Sequence, residues 1–223
     1  MFKNIFTAVH ILCALCAGVV LLILLLSDAT NTSSLSGLYW SRTTIDGAEL
    51  QWTLYRLCIT DSGTQQCTGR LFAYPYDPVE NLKGTSSSDL SSSIPSSFTN
   101  DKNTYHYLSK ASYGLFLAAL IITVINWPIS LCAVCNAGGF LSALVLGLST
   151  MAFVVGSAAA ATITAAHVKG RNAFAAAGFD TKLGTTNFAL AWVSVAILLI
   201  SFVLTCCIGG NKKYRRVETV YAQ

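Results

Sequence analysis

The chain has 223 residues, 53% of them hydrophobic and only 11% charged, with a mean hydropathy of +0.57; soluble globular chains carry roughly 25% charged residues. That balance excludes an ordinary water-soluble domain and points to a polytopic membrane protein. The net charge of +4 arises at the two ends, from Lys3 and from Lys212, Lys213, Arg215 and Arg216 against Glu218. The basic character therefore marks a membrane edge and offers no nucleic-acid surface.

After a cytosolic N-terminus (1–4), residues 5–26 form an apolar run in which His10 is the one ionisable group besides two thiols. At about 1.5 Å per residue it crosses the ~30 Å hydrocarbon as a first span. It exceeds the 7–15 apolar residues of a secretory signal and reads as an uncleaved anchor. Further spans are expected at 111–131, 138–166 and 188–208. Four spans with a basic tail (209–223) put both termini in the cytosol, because basic residues beside a span stay inside. Segments 27–110 and 167–187 are then extracellular loops, and 132–137 is a short cytosolic turn. His10 and Asn126 are placed near span ends, where a polar side chain costs little, with Asn126 expected to cap backbone groups.

Within the first outer loop, 35–41, 49–59 and 67–76 read as short strands, with turns at Ile45-Asp46-Gly47 and Asp61-Ser62-Gly63. A small antiparallel sheet is expected over about 35–78, followed by a serine-rich flexible tether over about 84–104. The sequon Asn31-Thr32-Ser33 begins too close to the first span for ready modification. Only Cys58 and Cys67 lie in this loop, so one disulfide is expected. The chain-entropy account gives such a closure roughly 2.5–3 kcal/mol.

Leu54-Tyr55-Arg56-Leu57-Cys58 with Cys67 resembles the aromatic-x-x-Cys…Cys signature of the claudin superfamily, with Tyr55 standing where that pattern has Trp. Trp52-Thr53-Leu54-Tyr55 before Cys58, then Ala73-Tyr74-Pro75-Tyr76-Asp77-Pro78, is similar to the fungal Sur-seven/PalI group of plasma-membrane tetraspans. The resemblance implies a left-handed four-helix transmembrane bundle carrying a disulfide-pinned sheet. It also implies a role in plasma-membrane microdomains, eisosome-type furrows, or cell-wall and stress responses, without catalysis. Trp40, Trp52 and Tyr55 are expected to brace the sheet.

Span three holds two small-residue tracks, Gly139/Ala143/Gly147 and Ala152/Gly156/Ala160, at the i, i+4 spacing that lets helices approach closely. Both are expected to pack the neighbouring spans; the competing reading makes the second an intermolecular seam. Cys132, Cys135, Cys206 and Cys207 lie at span ends beside basic residues, where acylation, zinc binding and plain packing all compete. The tail cations Lys212, Lys213, Arg215 and Arg216 suit anionic inner-leaflet lipid.

No Gly-rich phosphate loop or His-Glu-x-x-His motif occurs, and His10, His106 and His167 fall in separate segments. The expectation is thus a non-enzyme without cofactor or metal, whose partners are membrane lipids (sterol, sphingolipid or anionic lipid), further copies of itself and other plasma-membrane domain proteins. The alternatives are an accessory or sensor subunit of a signalling or wall-synthesis complex, and a pore or carrier.

Overall fold

The computed structural model describes residues 2–27, 38–83, 93–135 and 139–221, and their side chains except those of 2–4, 83, 134–135 and 209–221. Among the described residues, four helices are long and apolar enough to cross a membrane: α1 (Phe2–Leu26), α4 (Lys102–Cys135), α5 (Gly139–Ala176) and α6 (Thr185–Tyr221). Between α1 and α4 come β1 (Ser41–Ile45), β2 (Ala48–Trp52), β3 (Leu57–Asp61), β4 (Thr64–Cys67) and the short helices α2 (Pro78–Lys83) and α3 (Ser96–Asn100); β5 (Asp180–Leu183) lies between α5 and α6. The expected four-helix membrane protein with a disulfide-pinned antiparallel sheet is the fold observed.

The chain divides into two compact units. One comprises Met1–Leu22, Phe116–Ser157 and Ala191–Gln223. Its described elements are all helical, and its outward surface is apolar, with Leu12, Val19, Ile121, Val124, Val154 and Ile200 exposed.

The other unit, Ile23–Leu115 with Ala158–Leu190, carries the sheet. Strand order is β4-β3-β2-β1-β5, every pairing antiparallel. Asp46-Gly47 and Ser62-Gly63 all have positive φ, the geometry of the two-residue hairpin turns whose twist matches paired strands. Cys58 faces Cys67 directly across β3 and β4, and the two are joined as a disulfide. One sheet face buries Ile45, Leu50, Trp52, Leu57 and Ile59 against Tyr76, Leu82, Phe98, Tyr105 and Phe174.

Several expectations of local structure are corrected. The first strand is Ser41–Ile45, with 35–37 outside the described residues. The run 49–59 is two strands, because the Thr53 hydroxyl accepts from the N–H groups of Tyr55 and Arg56 and donates to the Arg56 carbonyl, closing a turn without glycine. Segment 67–76 leaves the ladder after Cys67. Asp77 caps α2 by accepting from the Glu80 N–H, with Pro78 at the first helical position. Of the tether, 84–92 and the sequon lie outside the described residues; 96–100 is helix, and Phe98 is buried in the sheet core.

The segment 167–187 is not a simple loop. Its alanine-rich start extends α5 to Ala176, so that this 38-residue helix is about 57 Å long. The helix ends in a left-handed Gly178: Gly178 N–H bonds Ala175 O, Phe179 N–H bonds Phe174 O, and the two phenyl rings meet at 6.2 Å. The chain then enters β5. At its end the Gly184 N–H donates to Trp40 O, and a Cβ on Gly184 would lie 1.6 Å from Tyr39 O. Gly184→Ala is therefore expected to force β1 and β5 apart and cost about 2–3 kcal/mol, read as a lowered thermal midpoint of the detergent-solubilised protein.

Candidate functional site

The signature residues converge on one piece of construction in the sheet-bearing unit. Trp40 is fully buried, its ring 5.1 Å from Phe188 and 6.1 Å from His167. Trp52, also fully buried, meets Tyr76 at 5.3 Å and Phe174 at 5.9 Å. Leu54 is buried and its carbonyl accepts from Tyr74 N–H. Tyr55 donates its hydroxyl to Leu25 O in the last turn of α1, while Ser27 Oγ donates to Leu24 O and Ser27 N–H to Ile23 O. Helix ends leave carbonyls without partners, and here the motif aromatic supplies one. All three aromatics thus brace the unit's interior. Burial pushes the Tyr55, Tyr74 and Tyr76 phenols above their ordinary range, so they stay neutral, Tyr55 OH donating to Leu25 O and Tyr74 OH accepting from Thr68 Oγ1.

His167, which the hydropathy pattern places in a loop, projects from α5 into this core. Its Nδ1 is 2.9 Å from Ser41 Oγ, and its ring is 4.4 Å from the Tyr76 ring. Tyr76 in turn fills the space over Gly170, where a Cβ would come within 2.4 Å of its ring. A cavity of about 10 Å³, lined by Trp52, Tyr74, Tyr76, Ser109 and His167 among others, has room for about one water. Ser41 and His167 are both buried, so this serine–histidine pair is closed to any larger substrate. His106 lies apart, its ring against Tyr107.

In the other unit, His10 corrects the sequence reading. It is 1% exposed and central to a polar network. Its Nε2 lies 3.1 Å from Ser130 Oγ, and its Nδ1 lies 2.9 Å from Ser201 Oγ and 3.2 Å from Thr205 Oγ1. Ser130 donates its proton to Asn126 O and Thr205 donates to Ser201 O. With its proton given to Asn126 O, the Ser130 hydroxyl accepts from Nε2–H, while Nδ1 also lies 3.2 Å from Ser201 O. Asn126 is buried in mid-helix and caps nothing; its Nδ2 donates to Ser149 Oγ. One chain of polar contacts therefore links α1, α4, α5 and α6 where no water can substitute.

The two small-residue tracks of α5 have opposite fates. Ala152 and Ala160 are buried, and a Cβ on buried Gly156 would sit 2.9 Å from Leu198 Cδ1 and 3.9 Å from Ala119 Cβ. This is an internal seam, the packing expected of this track and not the competing intermolecular one. Gly139, Ala143 and Gly147 are exposed, and a Cβ added to either glycine would meet nothing within 4 Å; their expected role in packing within the chain is corrected. Cys132, Cys206 and Cys207 are exposed, while the side chains of Cys135, Lys212, Lys213, Arg215 and Arg216 lie outside the described residues. Among the described residues no three His, Cys, Asp or Glu side chains converge as a metal site.

Both the polar network and the seam are open to substitution. Replacing His10 by Leu strands the Ser201 hydroxyl and leaves Ser130 with Asn126 O alone, and is expected to cost about 1–2 kcal/mol in reversible unfolding from mixed micelles, with His10→Gln recovering part of the loss. Gly156→Leu is expected to unseat α6 and lower stability by about 1–3 kcal/mol; Gly147→Leu, facing open space, should leave the same unfolding midpoint unchanged.

The chain is similar to three proteins of Saccharomyces cerevisiae. SUR7 family protein FMP45 is 28% identical over 96% of this chain and 69% of its own length. Protein SUR7 is 29% identical over 90% and 67%, and an uncharacterized plasma membrane protein is 25% identical over 99% and 73%. Residues 6–204 match the SUR7/PalI family, which agrees with the resemblance carried by Trp52–Cys58 and Tyr74–Pro78, and the chain belongs to that family.

Proposed function

We propose that this chain is a non-enzymatic organiser of plasma-membrane microdomains, of the eisosome-furrow kind, that serves the cell wall and stress responses by lateral assembly with copies of itself and with lipids. The observation that carries the reading is that both buried histidines are committed to sealed networks holding helices together, so what the molecule offers its surroundings is surface. That surface includes the outward α5 track of Gly139, Ala143 and Gly147, whose small side chains admit close helix approach. A relative named as a plasma membrane protein supports the location.

Both termini are placed in the cytosol on the strength of Lys212–Arg216 after the last span. There the four cations add on the order of 1 kcal/mol each of attraction to anionic lipid. The exposed thiols of Cys132, Cys206 and Cys207 suit acylation at that face.

The test is imaging of the tagged chain in a fungal plasma membrane, with diffusion measured by photobleaching recovery. Stable patches are expected, and Gly139→Leu with Gly147→Leu should disperse them while the protein stays folded. Uniform, freely diffusing wild-type protein would overturn the reading, as would solute flux through the reconstituted chain; loss of one specific partner complex on deletion would favour an accessory subunit instead.

A further inference from the structure

The loop after β4 carries a feature that the sheet's construction does not use. Leu71 is 59% exposed and Phe72 is 83% exposed, the most exposed large apolar side chain among the described residues. This tip is held in place. Thr68 N–H bonds Leu57 O, Leu71 N–H bonds Tyr55 O and Tyr74 N–H bonds Leu54 O, at 2.8, 3.0 and 3.0 Å. Thr68 Oγ1 adds bonds to Leu57 N–H and Tyr74 OH. Ala73 adopts φ +54°, a left-handed conformation that non-glycine residues seldom take. The Cys58–Cys67 disulfide anchors the strand from which the loop departs.

What the tip stands beside identifies its partner. The Phe72 ring lies 6.4 Å from the Tyr55 ring, edge to face, and Tyr55 in turn lies 5.8 Å from Tyr113 of α4. Tyr55 also donates to Leu25 O, one residue from the end of α1. Phe72 is therefore a single aromatic ring away from the level at which the apolar helix α1 stops. Ile23 and Leu26 of that last turn are themselves exposed, as lipid-facing residues are. We propose that Leu71 and Phe72 form a wedge that inserts into the interfacial layer of the leaflet in which α1 ends, contacting phospholipid near the glycerol and upper acyl region.

Area favours lipid over a protein partner. A Phe buries about 150–250 Å², so the pair falls far short of the ~1,000 Å² that a stable protein interface needs. A bilayer imposes no such threshold, since the spans already hold the chain in it. Aromatic side chains also favour the headgroup level. The proposal stands apart from lateral assembly, which uses the α5 face.

The test places the photo-crosslinker p-benzoylphenylalanine at Phe72 in the full chain, reconstituted in vesicles of phosphatidylcholine and phosphatidylserine. Val19 of α1 is the lipid-facing control and Ser62, at the exposed β3–β4 turn, the water-facing one. After irradiation, intact mass is expected to show one-phospholipid adducts at position 72 at a yield near that of position 19 and at least several-fold above position 62. An adduct yield equal to that of position 62, or crosslinking to a second copy of the chain instead of lipid, would overturn the proposal. Non-reducing peptide mapping of the Cys58–Cys67 bond verifies folding, and the same probe at Leu71 provides a second variant with the same expected and overturning results.

Discussion

The end of α1 sets the condition that the sheet-bearing unit is built to meet. A helix that stops at the edge of hydrocarbon leaves its last carbonyls without partners, and in an apolar setting each unpaired group costs several kcal/mol. Ser27 and Tyr55 supply those partners at Ile23, Leu24 and Leu25. Tyr55 can do so because it sits in the β2–β3 turn closed by Thr53, between Trp52 in the sheet core and Cys58 in the disulfide. The spacing aromatic-x-x-Cys is thereby given a physical meaning: the ring must reach back to the helix while the thiol three residues on must face β4. Tyr meets this demand through its hydroxyl, where Trp would offer an indole N–H.

The same rule governs the helical unit. Of the polar side chains buried there, His10, Asn126, Ser130, Ser149, Ser201 and Thr205 form one network. Each would be costly alone, and their mutual hydrogen bonds offset that cost only when the four helices hold one register. Apolar side chains on helices in lipid discriminate weakly between registers, because lipid tails are as apolar as the neighbours. The polar network and the Gly156 seam supply that discrimination, one by hydrogen bonding and one by close approach.

Much of this is legible in the sequence. The spans follow from apolar length, the disulfide from the two cysteines of the first loop, and the two hairpin turns from Asp46-Gly47 and Ser62-Gly63. What escapes has identifiable causes. The Thr53 turn has no glycine or proline, and its closure depends on one hydroxyl making local bonds. His10 reads as peripheral because span position says nothing of which residues face it from α4 and α6. His167 reads as a loop residue because hydropathy falls after Ala166, although alanine's helix propensity and the burial of Phe174 carry the helix on. The signal that marks the true end is Ala177-Gly178-Phe179, a helix stop about a dozen residues farther along.

β5 shows most clearly why local pattern falls short. Asp180–Leu183 has two charged residues in four and little intrinsic strand character, and its existence depends on β1 presenting an unpaired edge. Once paired, Thr181 and Thr43 share a hydrogen bond, and Gly184 admits the Tyr39 backbone. The pairing joins segments about 140 residues apart in sequence, so it carries the closure entropy of a long-range contact. It also moves that sheet edge from β1 to the short, charged β5, a composition that discourages further pairing. The other edge is β4, the strand that the disulfide pins and from which the Leu71–Phe72 tip departs, so that edge carries a covalent restraint.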